Sequence, residues 1–275
     1  MASKTWFITG ISRGFGKALA EAALAKGDTV IGTTRDGTTS ITDETGRLNV
    51  LPMDITYAAS IPEIIKCAVN ITGRLDVVVN NAGYGLLGSV EEASENEIEH
   101  LFDVNFHGTR RVVQAVLPYL RQQKSGHIVN ITSIAGLAPS AGSGYYAAAK
   151  FAVEGMSQSL AQEIGPLGIK LTLVEPGAFR TDFLSEHSIR IRPLTIGDYA
   201  ETAGKALAYL EKMAGEQAGD PARAADAIIH VVEASEPPLH LVLGPDAFRR
   251  TQEKHEQFAA ELKRWKDVSL STNFK

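Results

Sequence analysis

A chain of 275 residues that is 44% apolar and only 21% charged can bury a sizeable core without metal or disulfide support, which excludes a disordered or fibrous protein. Its 27 lysines and arginines against 32 aspartates and glutamates leave a formal charge of −5, too acidic for a protein that grips nucleic acid by neutralising phosphates. Cys67 is the single cysteine, so no internal disulfide forms, and the seven histidines are scattered without a closely spaced pair, so no metal site is expected. No apolar stretch approaches the roughly 18 residues that span a bilayer, and the opening Met1-Ala2-Ser3-Lys4-Thr5-Trp6 lacks the apolar segment of a signal peptide. The expectation is a cytoplasmic protein in a reducing compartment, with neither membrane nor nucleic acid among its partners.

Along the chain, β-branched runs at 5–9, 29–34, 49–53, 75–79, 127–132, 169–174 and 239–243 predict seven strands. The run Leu75-Asp76-Val77-Val78-Val79 and the run Ile128-Val129-Asn130-Ile131 are almost continuously apolar, as parallel strands covered on both faces require. Helical patterns fill the gaps, which predicts a doubly wound α/β fold with a seven-stranded parallel sheet. The longest helical signal runs over 95–123, where Ile98, Leu101, Phe102, Val112, Val113, Val116, Leu117 and Leu120 form one apolar stripe that also carries Asn105. Pro118 is expected to bend or end that helix. A second long helix over 143–165 is rich in small residues (Ala147, Ala148, Ala149, Ala152, Gly155) that permit close approach of another backbone. From 182 to 219 the pattern weakens, with one helix expected over 199–213. Asp220-Pro221 then reads as a helix N-cap and first turn, opening a helix to about 234. An amphipathic helix is expected over 245–266, with Phe248, Phe258, Leu262 and Trp265 as anchors; core cover is the leading reading, and a swap onto a neighbour or a cap over the active site are the alternatives. One domain over 1–275 follows, with a lid at about 182–219 and a C-terminal extension at about 245–275.

The first strand ends in Thr9-Gly10-Ile11-Ser12-Arg13-Gly14-Phe15-Gly16, and a helical pattern over 17–26 follows at once. Glycine allows the sharp turn and the approach of backbone N–H groups to a pyrophosphate, and a helix N-terminus adds partial positive charge. Gly10, Ser12, Arg13, Gly14, Phe15 and Gly16 are therefore candidate cofactor contacts. Their Gly-x-x-x-Gly-x-Gly spacing differs from the general Gly-x-Gly-x-x-Gly fingerprint. At the end of the second strand Thr34 occupies the position where an acidic side chain binds ribose hydroxyls, and Arg35 follows it. Arg35 and Arg13 together fit a ribose 2′-phosphate, which points to NADP(H). NAD(H) stays open through Asp36, itself about 20 residues past the glycine turn, and a solvated Arg35–Asp36 loop pair is the third reading.

Tyr146-Ala147-Ala148-Ala149-Lys150 places a phenol and an ammonium one helical turn apart. A phenol with an ordinary pKa near about 10 exchanges protons poorly at neutral pH, and a fixed positive charge nearby is expected to lower it. Tyr145 is a rival, but only Tyr146 has a lysine four residues on. Ser133, at the end of the fifth strand, can aim its hydroxyl at the same reacting oxygen.

With these motifs in order the sequence resembles the short-chain dehydrogenase/reductase family in its compact form: the glycine turn, Asp54 after the third strand, Asn80-Asn81-Ala82-Gly83 after the fourth, Asn105, Ser133, Tyr146 with Lys150, and Pro176-Gly177 with Thr181. The resemblance implies a Rossmann fold and a catalytic set of Asn105, Ser133, Tyr146 and Lys150. Tyr146 would be the general acid of carbonyl reduction, or the base of alcohol oxidation. Lys150 would hold the nicotinamide ribose and tune Tyr146, and Ser133 would bind the substrate oxygen. Asn105 would support a helix kink and a water chain behind Lys150. Asp54 and Ile55 would meet the adenine, and Asn81, Ala82 and Gly83 would line the cofactor, with Asn80 bracing the central strands. Pro176, Gly177, Phe179 and Thr181 would lie at the nicotinamide end.

The same resemblance puts the substrate wall at Tyr84, Gly85 and Leu86, at Ala135, Gly136 and Leu137, and in the lid at Phe179, Phe183, Leu184 and Ile189, with Arg190 and Arg192 beside it. A mostly apolar wall suits a small hydrophobic carbonyl or alcohol. The leading expectation is an NADPH-dependent carbonyl reductase. The alternatives are an alcohol, hydroxysteroid or retinol-type dehydrogenase working oxidatively, and a non-catalytic NADP sensor. The long helices imply a homodimer or homotetramer. Cys67 is expected to be a small buried residue.

Overall fold

In the first strand, Trp6 and Ile8 point to one face of the sheet and Phe7 to the other, and all three are fully buried, so this strand must lie between two layers of helices. The computed structural model describes residues 3–185, 188–213 and 215–274, the side chain of Leu184 excepted. In chain order its elements are β1 (Thr5–Thr9), α1 (Gly14–Ala25), β2 (Thr29–Thr34), β3 (Leu48–Pro52), α2 (Ile61–Thr72), β4 (Val77–Asn80), β5 (Gly85–Leu87), α3 (Glu95–Phe102) and α4 (Thr109–Gln123). They continue as β6 (Gly126–Ile131), α5 (Gly144–Ile164), β7 (Ile169–Pro176), β8 (Ile189–Ile191), α6 (Lys205–Lys212), α7 (Pro221–Glu233), β9 (His240–Leu243), α8 (Pro245–Arg264) and α9 (Lys266–Leu270).

Seven of the strands form one parallel sheet in the order β3-β2-β1-β4-β6-β7-β9. One face packs Phe7, Val78, Ile128 and Leu173 against α2, α4 and α5, and the other packs Ile8, Val79, Val129 and Val174 against α1 and α7. At about 1.5–3 kcal/mol for each large apolar side chain buried, these two layers are the main source of stability. The order reverses between β2 and β4 on either side of β1, and at such a switch point a crevice opens beyond the carboxyl ends of the strands. The glycine turn, Asn81, Ser133 and Gly177 all follow strands at that edge.

The two further strands are three residues each, too short to show a pattern in the sequence. β5 pairs with β8 through Gly85↔Ile189 and Leu87↔Ile191, tying the wall after β4 to the 182–219 segment. The helix expected over 199–213 is instead a 3-10 turn (Gly197–Tyr199), a π-helical turn (Ala200–Gly204) and α6. Pro118 does not end α4, because Val116 and Leu120 on either side are both buried on the core stripe. Their burial outweighs the roughly 3 kcal/mol cost of a proline inside a helix.

Two expectations are corrected. Cys67 is exposed, since the buried stripe of α2 runs through Ile61, Ile65 and Ala68 and leaves position 67 off its edge. Phe248, Phe258, Leu262 and Trp265 do not cover the core: each is exposed, as is every described residue from 252 onward. α8 docks only through its first turns, where Ala247 is buried and Arg250 donates to Ala138 O and to Ser140 Oγ (2.9 Å).

Candidate active site

The turn after β1 is built so that no side chain can enter it. A Cβ on Gly16 would stand 2.2 Å from Gly10 O and 2.4 Å from Asn81 Nδ2, and Gly10 and Gly14 hold φ of +73° and +59°, which disfavour other residues. Asn81 locks the turn from the end of β4 by donating through Nδ2 to Thr9 O (2.9 Å) and Gly10 O (2.8 Å). Arg13, at the N-cap of α1, makes no side-chain cap and no acidic residue lies in the first turn. The first N–H groups of α1 therefore face the crevice with their partial positive charge uncompensated by protein, and this open, side-chain-free cradle fits a pyrophosphate. Phe15 and Phe179 close one side of it in an edge contact of 5.1 Å.

At the rim, β2 ends at Thr34 as the sequence indicates, leaving Arg35 and Asp36 exposed beyond it. Asp36 turns back into its own loop, its Oδ1 accepting from Thr38 N (3.1 Å) and Thr34 Oγ1 (3.2 Å). Arg13 donates from Nε to Ser188 Oγ at 2.7 Å, which commits part of its guanidinium to the 182–219 segment. Asp54 accepts from Thr56 N and Oγ1, and these bonds hold its carboxyl below the usual carboxylate range. Ile55 beside it packs its side chain against Gly108 in the core.

Asn105, Ser133, Tyr146 and Lys150 come together at the centre of the same edge. Between α3 and α4 the helix widens into a π-turn over Asp103–Gly108, and Asn105 sits inside it. Its amide clamps the wall by accepting from Tyr84 N (3.0 Å) and donating to Tyr84 O (2.7 Å). A Cβ on Gly83 would lie 3.1 Å from Asn105 Oδ1 and 3.7 Å from Lys150 Nζ, so the amide and the ammonium meet over this glycine. Lys150 donates to Ile131 O at 2.9 Å and stands 5.8 Å from the centroid of the Tyr146 ring. Ser133 accepts from Ala135 N at 3.1 Å, which orients its hydroxyl, and Ser133 acts to lower the Tyr146 phenol. Beneath them Asn80 donates to Asn130 (2.8 Å) and Asn130 to Ser157 (2.8 Å), pinning β4, β6 and α5 together.

The electrostatics differ from the sequence expectation in one respect. Burial pushes the Tyr146 phenol up to about 12, opposed by its bond to Ser133, and pushes Lys150 down to about 8, opposed by the charge of Glu154. Desolvation outweighs the effect of Ser133, and the phenol is held protonated.

The substrate side is apolar. Tyr146 and Phe183 rings lie 5.9 Å apart, and a Cβ on Gly85 would touch Phe183 and Ile189, so these residues form one wall with Leu86, whereas the half-buried Leu137 packs apart from it with Ile134, Ala138 and Ala247. Arg190 lies 5.2 Å over the Tyr84 ring, whose phenol is raised by burial. The side chain of Leu184 lies outside the described residues.

The short chain dehydrogenase family matches this sequence over residues 4–190. The chain belongs to that family. Its relatives include oxidoreductase BOA17 of Botryotinia fuckeliana, 39% identical over 98% of this chain and 99% of its own. Another is the 3-ketodihydrosphingosine reductase of Bacteroides thetaiotaomicron, 38% identical over 86% of this chain and 87% of its own. A solved short-chain dehydrogenase from Streptomyces avermitilis superposes with a TM-score of 0.93, at 38% identity and 99% coverage of each chain.

This short-chain oxidoreductase also uses residues that sequence reasoning missed. Asp246, in the first turn of α8, accepts from Ala178 N at 3.0 Å and fills the space beside Gly177, where a Cβ would stand 2.3 Å from its Oδ1. The C-terminal helix thus supports the segment after β7. The buried Glu154 and Glu175 cluster with the exposed His240 behind Lys150. An aspartate just after a glycine and proline, or a glutamate four residues past the lysine, was the available signal.

Proposed function

We propose that this chain is an NADPH-dependent carbonyl reductase that turns a small hydrophobic ketone or aldehyde into the alcohol. The observation that carries the reading is the convergence of Asn105, Ser133, Tyr146 and Lys150 beside a glycine turn that leads into the N-terminus of α1. A bound nicotinamide supplies the hydride. Tyr146, kept protonated by burial, acts as the acid that delivers a proton to the carbonyl oxygen. Ser133 shares a hydrogen bond with that phenol and orients the same oxygen. Lys150 binds the ribose and returns the proton to Tyr146, while Asn105 holds the π-turn and the wall around them. The segment 182–219 acts as a lid, anchored to the wall by the β5–β8 pair.

Arg35, exposed just past the end of β2, supports NADP(H) over NAD(H), since Asp36 beside it turns its Oδ1 back into its own loop. A relative named as a 3-ketodihydrosphingosine reductase supports the reductive direction and an apolar substrate. The exposed Phe151, with open space at Gly155 one turn along α5, supports a homodimer through this helix. The lone thiol suits the cytoplasm. The test is NADPH oxidation at 340 nm across a panel of ketones and aldehydes, repeated with NADH. Turnover with NADPH on apolar carbonyls is expected, and tight NADPH binding with no turnover on any of them would overturn the reading in favour of a sensor.

A further inference from the structure

One turn beyond Lys150 on α5, Glu154 lies 2% exposed, and both of its carboxylate oxygens lack a well-formed hydrogen bond. Glu175 on β7 is fully buried, with its Oε2 equally bare. A buried carboxyl without partners is costly, and two of them side by side need a reason in the chemistry around them. Behind the site, His240 Nδ1 stands 2.6 Å from Glu175 Oε1 and 3.8 Å from Glu154 Oε2. The His240 side chain, on the outermost strand β9, is 39% exposed. A file of acid and base groups therefore runs from the surface at His240 through Glu175 and Glu154 to the turn that carries Lys150.

At the inner end, a Cβ on Gly136 would lie 3.2 Å from Glu154 Cγ and 3.3 Å from Lys150 Cβ, so the two stems run past the same glycine. The groups facing Glu154 are Lys150 from its own helix, the Thr132 hydroxyl beyond β6, Glu175 from β7 and His240 from β9. Thr132 spends its proton on Val174 O (3.0 Å), so it cannot also donate to Glu154. Lys150 is then the one fixed cation inside this group. We propose that Glu154 is the buried counter-charge that keeps Lys150 an ammonium, and that Glu175 with His240 sets when Glu154 carries that charge. Glu154 is a positioning residue, acting on the reaction through Lys150, and to that extent the inference rests on the function proposed above.

The energetic directions agree. Burial drives Lys150 down to about 8 and only Glu154 opposes it, while burial lifts Glu154 to about 7 and Glu175 to about 8. Proton exchange in the file therefore falls in the neutral range, where protonation of Glu154 removes the support of Lys150.

The test uses the full cofactor-free chain with ¹³C-labelled lysine and glutamate, following Lys150 Cε and Glu154 Cδ by NMR against pH. Glu154→Gln is expected to lower the Lys150 midpoint by about one pH unit, a tenfold loss of proton affinity. Glu154→Asp, which keeps the charge, is expected to lose less than half of that. In the wild type the two carbons should inflect together near the Glu154 value of about 7, a result that needs no variant to fold. In turnover the wild type should lose kcat/KM on the alkaline side as Lys150 gives up its proton near its value of about 8, and Glu154→Gln should draw that alkaline limb downward by about one pH unit. A Lys150 midpoint unchanged in folded Glu154→Gln, or a wild-type Lys150 that ignores the Glu154 titration, overturns the inference. Neither NMR result depends on turnover, so a failure of the reductase reading, seen as no activity on any carbonyl, is separately visible.

Discussion

Replacing Gly16 with alanine asks the most of the glycine turn for the least change in mass. The added methyl would stand 2.2 Å from Gly10 O and 2.4 Å from Asn81 Nδ2, where ordinary contact needs more than 3 Å. Either α1 or the 10–14 loop must move by about an ångström, at an overpacking cost of about 1–3 kcal/mol. The bond from Asn81 to Gly10 O goes with it, adding about 1 kcal/mol. At about 2–4 °C per kcal/mol for a chain of this size, the melting temperature should fall by roughly 5–15 °C. NADPH affinity, read by fluorescence, should fall at least about tenfold, since the cradle that meets the pyrophosphate is the part displaced. Gly155→Ala is the matched control: a Cβ there meets nothing within 4 Å on an α5 surface, and alanine is the better helix former by about 1 kcal/mol. A Gly16→Ala protein that melts and binds like the wild type would refute the account of the turn.

Asn105→Ala should cost about 2–3 kcal/mol in urea unfolding, because it leaves both Tyr84 N and Tyr84 O unpaired beside the site; an unchanged midpoint would remove its structural role. Arg35→Ala should raise the KM for NADPH at least about tenfold while leaving that for NADH within about twofold, since a lost ion pair to a phosphate is felt by only one cofactor; equal changes would discard the NADP preference. Glu154 and Glu175 hold protons in the folded chain to about 7 and about 8, above their ordinary value of 4.5. Their contribution to stability is complete below that ordinary value and is lost as pH rises through the folded values, so melting temperature should decline between about pH 5 and 8. The slope is about 1.4 kcal/mol per pH unit for each proton, and Glu175→Gln should flatten it; a melting temperature that rises over this window contradicts the assignment.

The sheet was legible because burial on both faces leaves continuous apolar runs, and Val77-Val78-Val79 and Ile128-Val129 occupy the positions that pattern predicts. Tyr146 and Lys150 were legible because they are local to one turn and Ser133 because it follows a strand, whereas Asn105, an amide on an apolar stripe, was singled out by the family resemblance. What the sequence hid was tertiary. Whether α8 covers anything depends on what lies beneath it, so its amphipathic pattern misled at Phe258 and Trp265. The π-turn at Asn105 looks like ordinary helix because its apolar spacing barely changes. The lysine's effect on the phenol depends on depth rather than spacing, and burial reversed the expected direction. Glu175 reads as a strand residue and His240 as an edge residue until the register of β7 with β9 sets His240 opposite Leu173, two residues before Glu175, and the two side chains meet on one face.

Turnover of Tyr146→Phe against its NADPH affinity tests the centre of this account most directly, since the change removes one hydroxyl and leaves the ring contact with Phe183 in place. Loss of kcat by about a hundredfold or more, with NADPH binding within about twofold of the wild type, is the predicted result. A variant that reduces carbonyls at the wild-type rate would take the proton donor away from this residue and the mechanism with it.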